Sequence, residues 1–263
     1  MTKRTAKRFM REGTLDAEQY ASDTKVRRLS IHGGGVSSSW SPMGPAANSQ
    51  NPDRDQSYVK TIKPKSEGQT ALLAAIDEKN LVLALGPAGT GKTYLAIAKA
   101  VEALEAGKVG RIVLSRPAVE AGESIGFLPG DMEDKLAPYL RPLYDALTDR
   151  LSMKRVKALI AEGLIEIAPV GYMRGRTLNN AFVVIDEAQN CTYVQLKMLL
   201  TRLGWNSTMV VTGDPAQSDL MHGLSGLGDV ADKFEAVETI AVVRLKDKDI
   251  VRHPLVAQML GVL

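Results

Sequence analysis

Residues 81–93 read LVLALGPAGTGKT, an apolar run followed by a glycine-rich turn that ends in a lysine and a threonine. The last eight positions match the pattern G-x-x-x-x-G-K-[ST] at every fixed position. The apolar residues before the turn predict a buried strand, and apolar positions at helical spacing over 93–106 predict a helix after it. A strand, a glycine-rich loop and a helix in this order predict a phosphate-binding P-loop.

This loop has a defined chemistry. Glycines allow a tight turn in which successive backbone N–H groups point at phosphate oxygens, and the start of the following helix adds its positive dipole end. Lys92 is predicted to reach the β- and γ-phosphates of ATP, and Thr93 to place its hydroxyl on Mg²⁺. The predicted nucleotide-binding residues of the loop are Gly86, Pro87, Ala88, Gly89, Thr90, Gly91, Lys92 and Thr93.

Short apolar runs alternate with helical stretches along the rest of the chain. Further strands are predicted over 111–115, 164–168, 182–185, 209–212 and 239–243, and further helices over 152–162 and 192–203. Residues 129–150 contain three prolines and are expected to form a less regular insertion. Apolar strands that alternate with helices predict a mostly parallel sheet covered on both faces, which is a three-layer α/β fold.

The N-terminal part of the chain has a different composition. Residues 1–65 contain twelve Lys and Arg against six Asp and Glu, whereas the remainder carries a net charge of −3. With few large apolar residues, residues 1–58 are predicted to be a disordered basic tail, and residues 59–263 to be the folded core. The tail could be merely solvated, or it could be a basic arm that contacts phosphates.

Several classes of protein are disfavoured by composition. No apolar run approaches the roughly 20 residues of a membrane helix, so no membrane partner is expected. The one cysteine, Cys191, excludes an internal disulfide, fits a cytoplasmic protein and is expected to be a small buried residue. His32, His222 and His253 form no ligand cluster.

A second polar motif follows another predicted strand. Residues 182–189 read FVVIDEAQ, an apolar run that ends in two carboxylates. Ligands of open α/β sheets gather at the carboxyl ends of strands, where the P-loop also lies. Asp186 is therefore predicted to hold Mg²⁺, and Glu187 to orient and deprotonate the attacking water.

A third motif, VVTGDPAQ at 210–217, also places polar residues after a strand. Gln217 could sense the γ-phosphate or order the attacking water. Asp214 could simply begin the following turn.

With these motifs the chain resembles the PhoH-like proteins, a branch of P-loop ATPases with a core like that of superfamily 1 helicases. The resemblance runs from about Lys63 to Val256, and it lies in 86–104, 115–147, 165–190, 200–220 and 249–256. The departures are Ser115, where many relatives have Thr, and Pro215-Ala216, where the usual pattern is more β-branched. The resemblance implies a RecA/helicase-like ATPase that uses ATP and Mg²⁺.

Further site residues are implied by the resemblance alone. Gln69 lies seventeen positions before Gly86, where helicase-like ATPases place a glutamine that reads adenine; otherwise an exposed surface glutamine is expected. Arg116 and Glu123 lie in a segment that resembles a nucleic-acid-contacting motif, with structural ion pairing as the alternative. The closely spaced Arg174 and Arg176 are candidates to bind phosphate of nucleotide or nucleic acid.

The chain has one P-loop core, whereas monomeric helicases place ATP between two such domains. An arginine that stabilises the transition state must then come from another subunit, and head-to-tail contacts that close make rings. The resemblance suggests a hexamer. Arg252 is the first candidate for the arginine in trans, with Arg202 and Arg174 as alternatives; Arg252 could instead form a packing ion pair.

Two functions fit these motifs. The first is a nucleic-acid-dependent ATPase, acting on single-stranded RNA in preference and able to remodel or unwind it. The second is an ATP-driven switch or assembly factor that acts on protein partners. A small-molecule kinase fits less well, because residues 186–189 read DEAQ, which is typical of a hydrolase.

Overall fold

The structure is a computed structural model that describes residues 62–117, 132–221 and 223–251, with backbone alone for 132–138. The predicted tail 1–58, together with Glu123, Arg252 and all three histidines, lies outside the described residues.

Strands and helices alternate through the described part of the chain. Its strands are β1 (Leu81–Leu85), β2 (Arg111–Arg116), β3 (Ile165–Pro169), β4 (Ala181–Ile185), β5 (Thr208–Gly213) and β6 (Ile240–Arg244). Its α-helices are α1 (Glu67–Glu78), α2 (Lys92–Glu105), α3 (Met132–Thr148), α4 (Met153–Ala161), α5 (Tyr193–Leu200) and α6 (Leu227–Phe234). Short 3₁₀ turns are formed by Val170–Met173, Ala188–Asn190 and Asp247–Asp249.

The six strands form one sheet in the order β3-β2-β4-β5-β1-β6, and every neighbouring pair is parallel. All six strands predicted from the sequence are confirmed, with ends shifted by a residue or so. Because the strands are parallel, their carboxyl ends lie along one edge of the sheet. At that edge β5 separates β1 from β4, and β2 lies on the other side of β4.

Helices cover both faces of the sheet. On β1, Val82 and Ala84 pack with the core beneath α1, α2, α3 and α4. The alternate residues Leu81, Leu83 and Leu85 pack with the core beneath α5 and α6. The three-layer α/β fold is therefore confirmed. None of the helices in the described ranges is long and apolar enough to cross a membrane.

The expected irregular insertion differs from what the structure shows. Residues 132–148 form one helix, α3, although it contains Pro138 and Pro142. Each proline removes a backbone donor, which weakens a helix. The loss is offset because Leu140, Leu143 and Leu147 are buried against the core beneath α2, and burial of a leucine side chain contributes about 1.5–3 kcal/mol.

Candidate active site

A cavity of about 320 Å³ lies at the carboxyl edge of the sheet, among the loop after β1 and the ends of β4 and β5. It is lined by Ala88, Gly89, Gly91, Lys92, Thr93, Tyr94, Asp186, Glu187, Gln189, Gly213, Asp214 and Gln217. A larger cavity of about 420 Å³ lies at the opposite edge, beside Asn80, Lys99 and Ser207. The smaller cavity is the candidate site, because the three sequence motifs meet there.

The P-loop requires glycine at Gly86. Its φ is +138°, and an added Cβ would lie 2.3 Å from the carbonyl oxygen of Leu245. The N–H of Leu245 donates to Leu85 at 2.7 Å, so the chain after β6 passes directly against the start of the loop. Only a residue without a side chain leaves room for both segments.

Lys92 is buried within the loop that it follows. Its Nζ donates to the carbonyl oxygens of Gly86 at 2.6 Å and Pro87 at 2.8 Å. Burial lowers the pKa of Lys92, and the nearby carboxylates, with Asp214 the largest contributor, oppose that shift. The ammonium group is thus held at the mouth of the loop, where phosphate oxygens would be further acceptors.

Thr93 and Asp186 meet at one point. The Thr93 hydroxyl donates to Asp186 Oδ1 at 2.6 Å, and Thr212 of β5 donates to the same oxygen at 2.7 Å. Mg²⁺ prefers oxygen ligands and is usually bound through one or two carboxylates plus substrate phosphates, so this pair fits the ion. Within the described ranges, no group of three or more His, Cys, Asp and Glu is placed to hold a metal.

The position of Glu187 is set by its backbone conformation and by contacts of both its carboxylate oxygens. Its φ of +51° lies in the left-handed region, which is uncommon for residues other than glycine and clusters at functional sites. Arg116 Nη2 lies 3.3 Å from Oε1, and Gln189 Nε2 donates to Oε2 at 2.6 Å. The side chain is still 37% exposed, so water can reach it.

Arg116 joins the two acids. Its Nη1 lies 3.5 Å from Asp186 Oδ2, while Nη2 faces Glu187. The contact arises because β2 pairs directly with β4, so the residue ending β2 lies beside the residues following β4. Of the two roles considered for Arg116, the structure shows the ion pair.

Gln189 connects Glu187 to the turn after β5. It is buried, and its Oε1 accepts a hydrogen bond from the backbone N–H of Asp214 at 3.1 Å. Asp214 Oδ1 in turn accepts from the N–H of Ala216 at 3.0 Å, which confirms that Asp214 begins a turn. Gln217 lines the cavity, and its role at the γ-phosphate stays a prediction.

Gln69 contacts the P-loop from α1. The N-cap Ser66 accepts from the N–H of Gln69, which fixes the start of that helix. The side chain is 5% exposed, and its Nε2 donates to the carbonyl oxygen of Thr90 at 3.0 Å. An exposed surface glutamine is therefore excluded, whereas recognition of adenine stays a prediction.

Comparison with known proteins decides the family. Residues 61–263 match the family model described as PhoH-like protein. The chain belongs to the PhoH-like family.

Curated relatives carry the same name. The chain is 54% identical to a PhoH-like protein of Bacillus subtilis over 202 residues, which are 76% of this chain and 63% of the relative. It is 55% identical to one of Mycobacterium tuberculosis over 201 residues, 76% of this chain and 57% of the relative. Protein PhoH of Escherichia coli is 42% identical over 256 residues, 96% of this chain and 69% of the relative. The chain thus spans less than two thirds of the first two.

Solved structures with a similar arrangement are more distant. The SWI2/SNF2 ATPase core of Sulfolobus solfataricus in complex with dsDNA is 16% identical, with a TM-score of 0.45 over 74% of this chain and 47% of that one. The large terminase of a thermophilic bacteriophage is 12% identical, with a TM-score of 0.44 over 76% of this chain and 50% of that one.

The PhoH-like chain does not bring Arg174 and Arg176 to its own cavity. Arg176 makes a two-pronged ion pair with Glu166 of β3, with Nη2 to Oε2 at 2.6 Å. Strand β2 separates β3 from β4, and neither arginine lines the cavity. Arg174 and Arg176, predicted to hold phosphate of nucleotide or nucleic acid, therefore lie outside the nucleotide cavity of their own chain, and a phosphate-binding role for either stays a prediction.

The candidates for the arginine in trans differ in whether the guanidinium is already hydrogen-bonded within its own chain. The guanidinium of Arg202 donates to the carbonyl oxygens of Met198 and Arg176 and to the Thr201 hydroxyl, so it is engaged within its own chain. Arg174 is exposed. Arg252 lies outside the described residues and stays a prediction.

Cys191 of the PhoH-like chain is fully buried, as expected. Burial raises the pKa of its thiol to about 12. A thiol of this kind is not a nucleophile at neutral pH.

Proposed function

We propose that this P-loop protein hydrolyses ATP with Mg²⁺ in the cavity at the carboxyl edge of the sheet. The observation that carries the proposal is the convergence of Lys92, the Thr93–Asp186 pair and Glu187 on that cavity. Each of these groups has a role in phosphoanhydride hydrolysis, and two of the sequence motifs supply them, one after β1 and one after β4.

The steps follow from the positions of these side chains. The loop N–H groups and Lys92 bind the β- and γ-phosphates, and Thr93 and Asp186 would hold the ion. Mg²⁺, when bound, neutralises charge on the phosphate oxygens. Glu187 accepts a proton from a water whose oxygen bonds to the γ-phosphorus, while the bond from that phosphorus to the leaving oxygen of ADP breaks.

Hydrolysis is proposed to depend on nucleic acid, with single-stranded RNA preferred. Support comes from the helicase-like motif set of the family and from the basic excess in residues 1–65. Unwinding would be one way to use the energy released. The alternative is a switch acting on protein partners, which the net negative charge of residues 66–263 favours.

The active assembly is proposed to be a ring of identical subunits, hexameric by family resemblance, with nucleotide between neighbours. In the described ranges no arginine lines the cavity, and Arg116 pairs with both acids. An arginine from a neighbour would supply the charge that stabilises the transition state, with Arg252 the first candidate.

The test of this function is steady-state ATP hydrolysis by the full chain, with and without single-stranded RNA or DNA, at a measured oligomeric state. We expect turnover that requires Mg²⁺ and rises with RNA. Turnover that ignores both nucleic acids would favour the protein-partner switch. Absence of hydrolysis in every assembled state would leave only a nucleotide-binding protein.

A further inference from the structure

One continuous part of the chain is almost free of acidic residues. Segments 167–185 and 188–213 contain four Lys and Arg and no Asp or Glu, and only the site residues Asp186 and Glu187 interrupt them. A run of this length without carboxylates offers its cations few partners of opposite charge nearby in the sequence.

The parts of these segments that lie outside the strands pack together on the face of the sheet that α5 covers. The 3₁₀ turn Val170–Met173 packs against α5. The following segment runs beside the end of α5. The N–H of Leu178 donates to the backbone carbonyl oxygen of Arg202 at 2.9 Å, and the N–H of Asn180 donates to that of Trp205 at 2.8 Å. The inward side chains of this layer belong to the core beneath α5; they are Met173, Leu178, Leu196 and Leu199.

Most of the outward cations have no carboxylate partner in the described part of the chain. The exposed Arg174 guanidinium and the exposed Lys197 ammonium have no hydrogen bond or ion pair to the described part of the chain. Arg202 donates only to carbonyl and hydroxyl oxygens, which do not neutralise it. Arg176 is the exception, because Glu166 neutralises it.

Two exposed aromatic side chains lie close in sequence to these cations, with Tyr172 two residues before Arg174 and Trp205 three residues after Arg202. Tyr172 is 61% exposed on the 3₁₀ turn, and Trp205 is 85% exposed at the other end of the layer. Exposed rings beside uncompensated cations are the features by which proteins bind single strands, since bases stack on the rings and phosphates pair with the cations.

We infer that this cationic–aromatic face, made of Tyr172, Arg174, Lys197, Arg202 and Trp205, binds single-stranded nucleic acid. The inference rests on the proposed nucleic-acid dependence and names the surface responsible. The face is joined to the active site, because α5 begins three residues after the turn Ala188–Asn190 that follows Glu187.

The experiment is fluorescence anisotropy of a labelled 15-nucleotide oligouridine with the full chain over a series of salt concentrations. Tyr172→Ala and Trp205→Ala are expected to raise Kd about tenfold each, and Tyr172→Phe to restore it. Arg174→Gln and Lys197→Gln are each expected to reduce the slope of log Kd against log salt by about 0.7.

Matched controls are Lys154→Gln and Lys157→Gln on α4, which remove exposed cations from the opposite face of the sheet. These variants are expected to bind as wild type does. Tyr172→Ala is also expected to keep its RNA-free ATPase rate while its stimulation by RNA shifts to higher RNA concentration.

Three results would overturn the inference. If wild type binds and all face variants bind equally well, the face is not the site, although the proposed function stands. If face variants change the ring size with unchanged Kd, the face is a subunit contact. If wild type does not bind the oligonucleotide even at low salt, the proposed nucleic-acid dependence fails as well.

Discussion

Glu187 shows how single residues prepare this site for chemistry. A left-handed backbone turns its carboxylate out of β4, and each oxygen then meets one donor, from Arg116 or Gln189. Arg116 also lies beside Asp186, so one guanidinium offsets the repulsion between neighbouring carboxylates. Arg116 is therefore a positioning residue in this account.

Replacing Arg116 tests that role. We expect Arg116→Ala to lower kcat for ATP about tenfold or more, because small displacements of catalytic groups are costly, with little change in KM. Arg116→Lys is expected to recover little, since an ammonium cannot bridge two carboxylates as a planar guanidinium does. Steady-state kinetics measure both.

The control is Arg155→Ala, which removes an arginine paired with Glu105 away from the cavity and is expected to keep wild-type kcat. A wild-type kcat in Arg116→Ala would show that the ion pair does not position Glu187.

At the scale of elements, hydrophobic pattern and motif spacing predict most of the architecture. All six strands were predictable because each is a short apolar run with a turn or helix on either side. Helix α3 was not, because prolines weaken a helix locally while burial of Leu143 and Leu147 stabilises it only in the folded chain. Helix propensity depends on residues that are neighbours in the sequence, whereas packing depends on residues that are distant in it.

The same limit applies to the site. Lys92, Thr93, Asp186 and Glu187 follow from motifs that are contiguous in sequence. The contacts of Arg116 and Gln189 depend on which strands are neighbours, and the order of strands in the sheet is not written in any one segment. Arg174 and Arg176 fall outside the cavity for the same reason.

The ion pair between Glu166 and Arg176 ties the segment after β3 to that edge strand. The hydrogen bond from Arg176 is the main cause that lowers the pKa of Glu166 below its ordinary 4.5. A lowered folded-state pKa means that the stabilisation is full above about pH 4.5 and is lost as pH falls through the lowered value.

We therefore expect Glu166→Gln to be less stable than wild type at pH 7 and to unfold at a lower temperature. The free energy of unfolding is expected to fall by no more than about 1 kcal/mol, because the ion pair is partly exposed. The two proteins should converge as the pH is lowered below 4.5. Thermal unfolding followed by circular dichroism from pH 7 to pH 3 measures this, with Glu162→Gln as an exposed control. A constant difference across that range would contradict the assignment.

At the scale of the whole molecule, the described cavity is proposed to bind phosphate at the P-loop, to hold Mg²⁺ through Thr93 and Asp186 and to supply Glu187 as the base. The arginine for the transition state is proposed to come from a neighbour. Mixing variants tests this. Arg252→Ala and Glu187→Gln are each expected to be inactive. Their mixture should regain activity, because some interfaces join an intact Glu187 to an intact Arg252.

Activity of the mixture is read from ATP turnover after subunit exchange, with unmixed variants as controls. If the mixture stays as inactive as its components although mixed rings form, Arg252 does not act in trans.

The central claim is that Glu187 activates water for attack on ATP bound at the P-loop, and single-turnover hydrolysis by Glu187→Gln tests it most directly. With ATP binding measured in parallel, we predict a Kd within a few-fold of wild type and a hydrolysis rate lower by about 10²–10⁴. Hydrolysis by Glu187→Gln at the wild-type rate would contradict the account.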